Sequence, residues 1–336
     1  MLLSIIIPSY NRELNTLISS IYKSKLDTSL YEVIISDDST DDKIITKNLN
    51  TVYRVINGQN MNITYIKNKY NRVGPAANRQ NGLDNAKGEW VLFVDDDDRF
   101  MGYGLQKIVQ ELIYISEKDE DKISYIETNF YMQEDEAYCI KDLKFIFKNV
   151  THGKIYNRQF IMDNNISYDV TAPAHEDIYF NYYVFGATVA KNYKSLQLLD
   201  PKYMYYIFKE NKSSISNDGN FYHRYIIDEP KWFLGKFEKI FEYADVSKKY
   251  EEVFNHIKNE LCYALLVYLL AQEWNELTYE NKKLFVNFFL RWQQIFHNKV
   301  DINIAAKEAI AVLYYNKLLT NPDKIIKYIS AIKELC

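Results

Sequence analysis

Gly88–Phe100 reads GEWVLFVDDDDRF, and its interpretation settles the fold class of the chain. Trp90–Val94 is short and almost wholly apolar, the pattern of a strand buried on both faces. It runs directly into Asp95, Asp96, Asp97 and Asp98, with no basic residue before Arg99. Like charges crowded at the exit of a buried strand repel one another and require an offsetting charge. A divalent cation is the simplest candidate, because hard carboxylate oxygens suit Mg2+ or Mn2+. Side chains alternate along extended backbone, which predicts Asp95 and Asp97 on one face and Asp96 and Asp98 on the other. Not all of the run can then ligate one ion. An acidic run taken alone is most often a solvated turn. Its place at the carboxyl end of a buried strand favours a ligand site, since open α/β sheets bind ligands there.

The pattern extends upstream. Leu2–Ile7 reads as a strand ended by Pro8, with a loop over Ser9–Arg12 and helical spacing of Leu14, Leu17, Ile18 and Ile21 within Glu13–Lys23. Tyr31–Ile35 reads as a second buried strand, and it too meets acids, at Asp37, Asp38, Asp41 and Asp42. A helix-like segment and the alternating strand Ile63–Ile66 follow. Asn71–Asn78 then supplies a Gly-Pro loop before a helix carrying Arg79, Asn81 and Leu83, which Gly88 ends. This alternation predicts a parallel α/β sheet with two acidic clusters on one edge. No GxxxxGK[ST] loop is present and no GxGxxG follows the first strand, so bound phosphates must be neutralised by metal and basic side chains.

The chain has 336 residues, 47% of them apolar, enough for one large or two ordinary domains with a sizeable core. The net charge of −4 and the lack of a long basic block argue against a nucleic-acid binder. Cys139, Cys262 and Cys336 are too scattered for a disulfide framework or a metal cluster, which points to a reducing compartment. The first residues enter an apolar strand without a basic leader, so no secretion signal is expected. The apolar run Leu261–Ala271 falls short of the roughly 20 residues that span a bilayer. The 30 tyrosines reflect genome composition more than function. From about Tyr222 the pattern becomes helical, giving domains 1–220 and 221–336. Phe285, Phe288, Phe289, Trp292, Ile295 and Phe296 mark one helix face, read first as core and otherwise as an oligomer interface or acceptor platform. Asn321-Pro322 breaks the last pair of helices.

SIIIPSYNR (4–12), VIISDDSTD (33–41) and NRVGPAANRQNGLDNAKGEWVLFVDDDD (71–98) occur in that order. Together they resemble the nucleotide-diphospho-sugar domain of family 2 glycosyltransferases. HGKIYNRQFIMDNNISYDVTAPAHEDIYFN (152–181) is similar to the acceptor-side segment of the members that build bacterial polysaccharides and wall teichoic acid, where a Glu-Asp pair opens a helix. The acidic loop at Asp37-Asp38 departs from the family in lacking the glycine usual after the two aspartates. The resemblance covers roughly residues 1–215. It implies an α/β GT-A fold, Rossmann-like, with a mostly parallel sheet flanked by helices and followed by a helical C-terminal region.

The resemblance also implies a function and a set of roles. The expected reaction is inverting transfer, dependent on Mn2+ or Mg2+, from a UDP-sugar donor. The acceptor is a hydroxyl of a glycan or polyol-phosphate in a bacterial surface polymer such as capsule, teichoic acid or lipopolysaccharide. Pro8 and Tyr10 would line the base, Asp38 would accept from uracil, and Arg79 would approach the diphosphate. Asp95 would contact the ribose and share the cation with Asp97, while Asp96 and Asp98 would bind the donor sugar or cap the next turn. Asp177 matches the catalytic base, with Glu176 and His175 as neighbours that hold acceptor or sugar; the acidic first turn of a helix is the plain structural alternative. Lys209, Lys212, Ser213 and Ser214 would face phosphate from a later loop, with a plain surface loop as the alternative. A cytoplasmic location is expected, with peripheral association at the inner face of the membrane and a homo-oligomer through the C-terminal helices left open. The competing reading is an inactive sugar-nucleotide-binding protein acting through its helical region. Retention of Asp97 and Asp177 favours the enzyme.

Overall fold

The computed structural model describes residues 1–59, 61–69, 74–118, 122–128, 131–134, 137–140, 151–172, 176–198, 207–209, 227, 230–273, 275–297, 299–300, 323, 327 and 330. The chain forms two compact units, Met1–Val184 with Asn192–Asn211, and Phe185–Lys191 with Lys212–Cys336.

In the first unit strands and helices alternate as β1 (Leu3–Ser9), α1 (Asn15–Lys23), β2 (Tyr31–Asp37), α2 (Asp42–Gln59), β3 (Ile63–Lys67), α3 (Pro75–Asn85), β4 (Trp90–Phe93) and α4 (Gly104–Lys118). β5 (Ile123–Thr128), β6 (Tyr131–Glu134), β7 (Ala137–Ile140), β8 (Lys154–Asn157), α5 (Arg158–Asp163), α6 (Glu176–Ala190), β9 (Lys194–Leu198) and β10 (Ile207–Lys209) follow. Seven strands make the main sheet, in the order β3-β2-β1-β4-β8-β5-β9, and β10-β6-β7 make a small one. Every residue of β1, β2 and β4 is buried, as continuous apolar runs in a two-sided sheet require. The chain leaves β1 toward β2 on one side while β4 lies on the other, so the topological switch point falls between β1 and β4.

The sheet is mixed where the sequence pattern read as parallel. β8 runs antiparallel to both β4 and β5, with Leu92 opposite Ile155 and Glu127 opposite Lys154. An antiparallel strand presents its amino end where its neighbours present their carboxyl ends. Residues just before β8 therefore arrive beside the residues just after β4. Gly153, at φ 71°, makes the left-handed turn into β8 that glycine adopts without strain.

Two boundaries also differ from expectation. Pro8 does not end β1, which pairs with β2 through Ser9 against Asp37. Ile6 accepts from Val94 on the β4 side, so Pro8, two residues on, turns its missing N–H toward the side where β4 has already stopped. The helix α3 ends at Asn85, short of Gly88. Gly88 serves close approach instead, since a Cβ there would lie 2.5 Å from the Ser4 backbone nitrogen. Its own N–H donates to Ser4 Oγ at 2.8 Å, and Ser4 Oγ donates to the buried Glu32 at 2.7 Å.

Besides the end of α6, the second unit has the described helices α7 (Pro230–Gly235), α8 (Phe237–Ser247), α9 (Tyr250–Glu273) and α10 (Tyr279–Phe296). The aromatic stripe of α10 is core: all six residues named from the sequence are buried. Phe288 meets Phe237 edge-on at 5.4 Å and Phe296 meets Phe254 at 5.3 Å. Thr278 caps α10 by accepting from Asn281 N. No helix among the described residues is long and apolar enough to cross a membrane. Asn321-Pro322 lies outside the described residues.

Gly88→Ala forces a methyl against the backbone of β1 rather than against a movable side chain. The expected loss is about 1–3 kcal/mol, the usual cost of overpacking a filled interior. Urea unfolding of the full chain measures it, and a shift under about 0.5 kcal/mol, the range of neutral surface changes, would show that β1 yields there.

Candidate active site

α3 buries polar residues, including a charged one: Asn78, Arg79 and Asn81 are all enclosed. Each has a partner at the carboxyl ends of the central strands. Asn78 Nδ2 donates to the Ser9 carbonyl, Ser36 Oγ donates to Asn78 Oδ1, and Asn81 Nδ2 donates to Ser36 Oγ. These bonds fix α3 over β1 and β2 and place Arg79 at the sheet edge. Its guanidinium, with a side-chain exposure of 6%, donates from Nη2 to Asp95 Oδ1 at 2.8 Å and from Nη1 to Glu176 Oε1. One arginine thus joins the second residue after β4 to the residue that opens α6.

The aspartate run is not extended. Asp98 N donates to the Asp95 carbonyl at 3.1 Å and Asp95 N donates to Asp98 Oδ2 at 3.2 Å, which closes a turn. The alternation expected from an extended strand is therefore replaced by a different pairing. Asp95 and Asp98 come together, and Asp96 and Asp97 share Arg12, whose Nε lies 3.4 Å from Asp96. The Tyr10 backbone N–H also donates to Asp96, at 3.1 Å. His152 Nε2 lies 3.1 Å from Asp95 Oδ2.

The charges respond to these partners. Burial alone would raise the Asp95 carboxyl, but Arg79 and His152 overcome it and hold the group far below the usual carboxylate range. Burial pushes Asp96 up to about 7, with Arg12 and the Tyr10 N–H opposing. Burial raises Glu176 as well, and the neighbouring Asp177 adds to the effect while Arg79 resists it. Asp38 is likewise raised by burial, although it accepts from Gly74 N at 3.0 Å. Lys154 is only 4% exposed, and burial lowers its ammonium to about 8 against the pull of Glu127 and Asp177.

A divalent cation fits this chemistry. Asp95, Asp98 and His152 each offer a ligand atom, all within 4.8 Å of one another. An oxygen-rich set with one imidazole suits Mn2+ and also admits Mg2+. Asp95 was expected in a metal set from the sequence. Asp97, its expected companion, forms an ion pair with Arg12.

The remaining sequence-derived positions are distributed as follows. Pro8 is buried within β1, while Tyr10 is 49% exposed just beyond it. Asp38 follows β2, close to Ser9, whose carbonyl accepts from Asp38 N at 3.0 Å. Arg79, expected to approach the diphosphate, donates one hydrogen bond to a carboxylate from each terminal nitrogen. Asp177 and Glu176 open α6 as anticipated. Asn181 donates to the Asp177 carbonyl at 2.7 Å, and Tyr156 Oη donates to Asn181 Oδ1 at 2.8 Å, which ties this first turn to β8. His175, Lys212, Ser213 and Ser214 lie outside the described residues, and Lys209 closes β10. Arg12, His152, Lys154 and the buried Tyr168 complete the site without having been singled out. The Tyr168 ring stacks on Phe180 at 4.2 Å, with the Arg79 guanidinium 6.0 Å from its centre. The only prior signal was their position inside the quoted motifs.

Residues 4–119 match the model of glycosyl transferase family 2. A GalNAc(5)-diNAcBac-PP-undecaprenol beta-1,3-glucosyltransferase of Campylobacter jejuni is 36% identical over 113 residues, 32% of this chain and 34% of that protein. A poly(ribitol-phosphate) beta-N-acetylglucosaminyltransferase of Staphylococcus aureus, TarS, is 24% identical over 225 residues, 64% of this chain and 37% of that protein. The chain thus spans about a third of the length of these curated relatives. The crystal structure of S. aureus TarS residues 1–349 in complex with UDP-GlcNAc superposes with a TM-score of 0.61 at 19% identity, over 99% of this chain and 91% of that one. That likeness shows the fold, the GT-A arrangement that the motifs implied.

Arg79→Met would leave Asp95 and Glu176 facing each other without their shared cation. Breaking a buried pair from one side costs about 3–5 kcal/mol, and the part-exposure of Asp95 puts the expected loss at the lower end. Adding Glu176→Gln removes one uncompensated charge and should restore part of the stability in a double-mutant cycle. A loss below about 1 kcal/mol, typical of exposed pairs, would mean that the two carboxylates do not depend on Arg79.

Proposed function

We infer that this chain, whose residues 4–119 are a family 2 glycosyltransferase domain, moves a sugar from a UDP-sugar to a hydroxyl of a bacterial surface glycan, with inversion. The observation that carries the reading is the bridge through the buried Arg79, which links the donor-side Asp95 to Glu176, neighbour of Asp177, in one partly buried cluster. The likeness to a structure holding UDP-GlcNAc supports the donor class. Relatives that act on poly(ribitol-phosphate) and on undecaprenol-linked sugars support a surface polymer as acceptor.

In this reading the loops after β1, β2 and β4 receive the nucleotide. Tyr10 has an exposed ring to lie against the base, and Asp38 stands at the end of β2 to meet its polar edge. A divalent ion on the aspartate turn would offset the charge that develops on the departing diphosphate. Glu176 is committed to Arg79, which leaves Asp177 to take the acceptor proton. The acceptor oxygen bonds to the anomeric carbon as its proton passes to Asp177. The bond from that carbon to the diphosphate breaks, and UDP leaves with the electron pair.

Two measurements test this scheme. In the first, Asp97→Ala should lose the Mn2+-dependent thermal stabilisation by UDP while the unliganded melting temperature changes little. Retention of that stabilisation in Asp97→Ala, with its loss in His152→Ala, would move the ligand set to Asp95, Asp98 and His152. In the second, Asp177→Asn should lower turnover of UDP-GlcNAc or UDP-glucose onto poly(ribitol-phosphate) by about 10²–10⁴-fold, the usual contribution of a general base. Donor affinity should hold, because the lost interaction belongs to the transition state. Normal turnover in Asp177→Asn with a crippled Glu176→Gln would transfer the role to Glu176.

A further inference from the structure

Asp37, the last residue of β2, is a buried carboxylate with no part in the chemistry above. A carboxylate taken out of water must be met by hydrogen-bond donors. Its Oδ1 accepts from Ser39 N at 3.0 Å and from Ser39 Oγ at 2.6 Å, and its Oδ2 accepts from Tyr65 Oη. The strand register explains how Tyr65 reaches it. Across the β2–β3 ladder Ile35 pairs with Tyr65 and Asp37 with Lys67. Asp37 lies two residues beyond Ile35 on the same face, which makes it the diagonal neighbour of Tyr65, a span an aromatic side chain covers. Burial raises the Tyr65 phenol above its usual range and Asp37 raises it further, so the hydroxyl stays protonated and donates.

The two bonds from Ser39 close an Asx turn over Asp38, which therefore stands at the apex of that turn. Asp38 N is fixed to the Ser9 carbonyl at 3.0 Å, and the Asp38 carboxylate accepts from Gly74 N at 3.0 Å. Ser39 Oγ continues the chain of bonds by accepting from Asn11 N at 2.7 Å. Asn11, at φ 50°, directly follows Tyr10, and its Oδ1 accepts from Thr40 N at 2.8 Å and Asp41 N at 3.0 Å. One carboxylate thus organises the backbone beside both residues assigned to the base. Ser39 and Asn11 belong to loops, whereas Tyr65 belongs to β3 and ties the network to the sheet.

We propose that Tyr65 is a positioning residue for nucleotide recognition. Its hydroxyl anchors the Asp37 carboxylate to β3, and through Ser39 and Asn11 this sets where Asp38 and Tyr10 meet the base. The proposal rests on the reading that Asp38 and Tyr10 receive a uracil. Uracil presents an N–H at the ring position where cytosine presents a lone pair. A carboxylate held in place accepts from the first and repels the second, whereas a displaced one distinguishes them less. The anchor therefore serves selectivity for uridine over cytidine.

Calorimetry on the full chain with UDP and with CDP, each in the presence of Mn2+, tests this. Tyr65→Phe removes the hydroxyl alone. UDP affinity should fall by about tenfold, the order of one hydrogen bond to a charged group. The preference for UDP over CDP should narrow by about threefold or more, whereas a general loss of packing would weaken both nucleotides alike. Tyr65→Phe and Asp37→Asn should be non-additive in UDP affinity, because both break one contact. Undiminished UDP affinity in Tyr65→Phe overturns the proposal, as do equal losses for UDP and CDP or additive losses in the cycle. Asp38→Ala and Tyr10→Ala keep the base site distinct from its anchor. A preference for UDP lost in Asp38→Ala but intact in Tyr65→Phe overturns the anchor alone. A preference intact in both Asp38→Ala and Tyr10→Ala overturns the assignment of the base site, and the anchor with it.

Discussion

A single buried guanidinium sets the geometry of this site. Arg79 cannot be solvated, so the carboxylates of Asp95 and Glu176 must both reach it. That requirement ties together segments nearly a hundred residues apart in the chain. It also explains why α3 has so polar a buried face. A helix packed by apolar residues alone could slide along the sheet, whereas Asn78 and Asn81 lock it to Ser9 and Ser36 and so fix where Arg79 emerges.

The antiparallel strand β8 is the second constraint. A wholly parallel sheet would bring only strand exits to the site edge, each followed by a loop and a helix. Inserting β8 between β4 and β5 lets a strand entrance join them, and His152 and Lys154 arrive with it. The same strand carries Tyr156, which anchors α6 through Asn181. The turn after β4 and the start of α6 thus meet across the β4–β8 pair, with Phe93, Tyr156, Tyr168 and Phe180 packed edge-on and stacked beneath them.

Much of this was legible in the sequence because the relevant signals are local. The buried runs of β1, β2 and β4 could hardly be anything but central strands, and the spacing of Phe285 to Phe296 could be read as a helix stripe. Strand direction was not legible, since Lys154–Asn157 carries no mark of running antiparallel. The aspartate run misled for a related reason. Alternation assumes extended backbone, whereas hydrogen bonds within the run curl it into a turn. Pro8 misled because its cost depends on which neighbour lies beside it, a tertiary fact. Arg12, His152, Lys154 and Tyr168 gain meaning only from what surrounds them, and no one-dimensional pattern reports that.

The repulsion expected among Asp95, Asp96, Asp97 and Asp98 is met first by protein cations. Arg79 and His152 face Asp95, and Arg12 faces Asp96 and Asp97. The offset is incomplete. Asp96 is pushed up to about 7 mainly by burial, with Asp97 and Asp95 still adding to it. Such a turn can take a divalent ion without having to be built by one. In that respect it differs from a structural metal site, where folding waits for the metal. Under the proposed function the ion would be most needed only when a diphosphate brings further negative charge to the same edge, which would couple cation and nucleotide binding to each other rather than to folding.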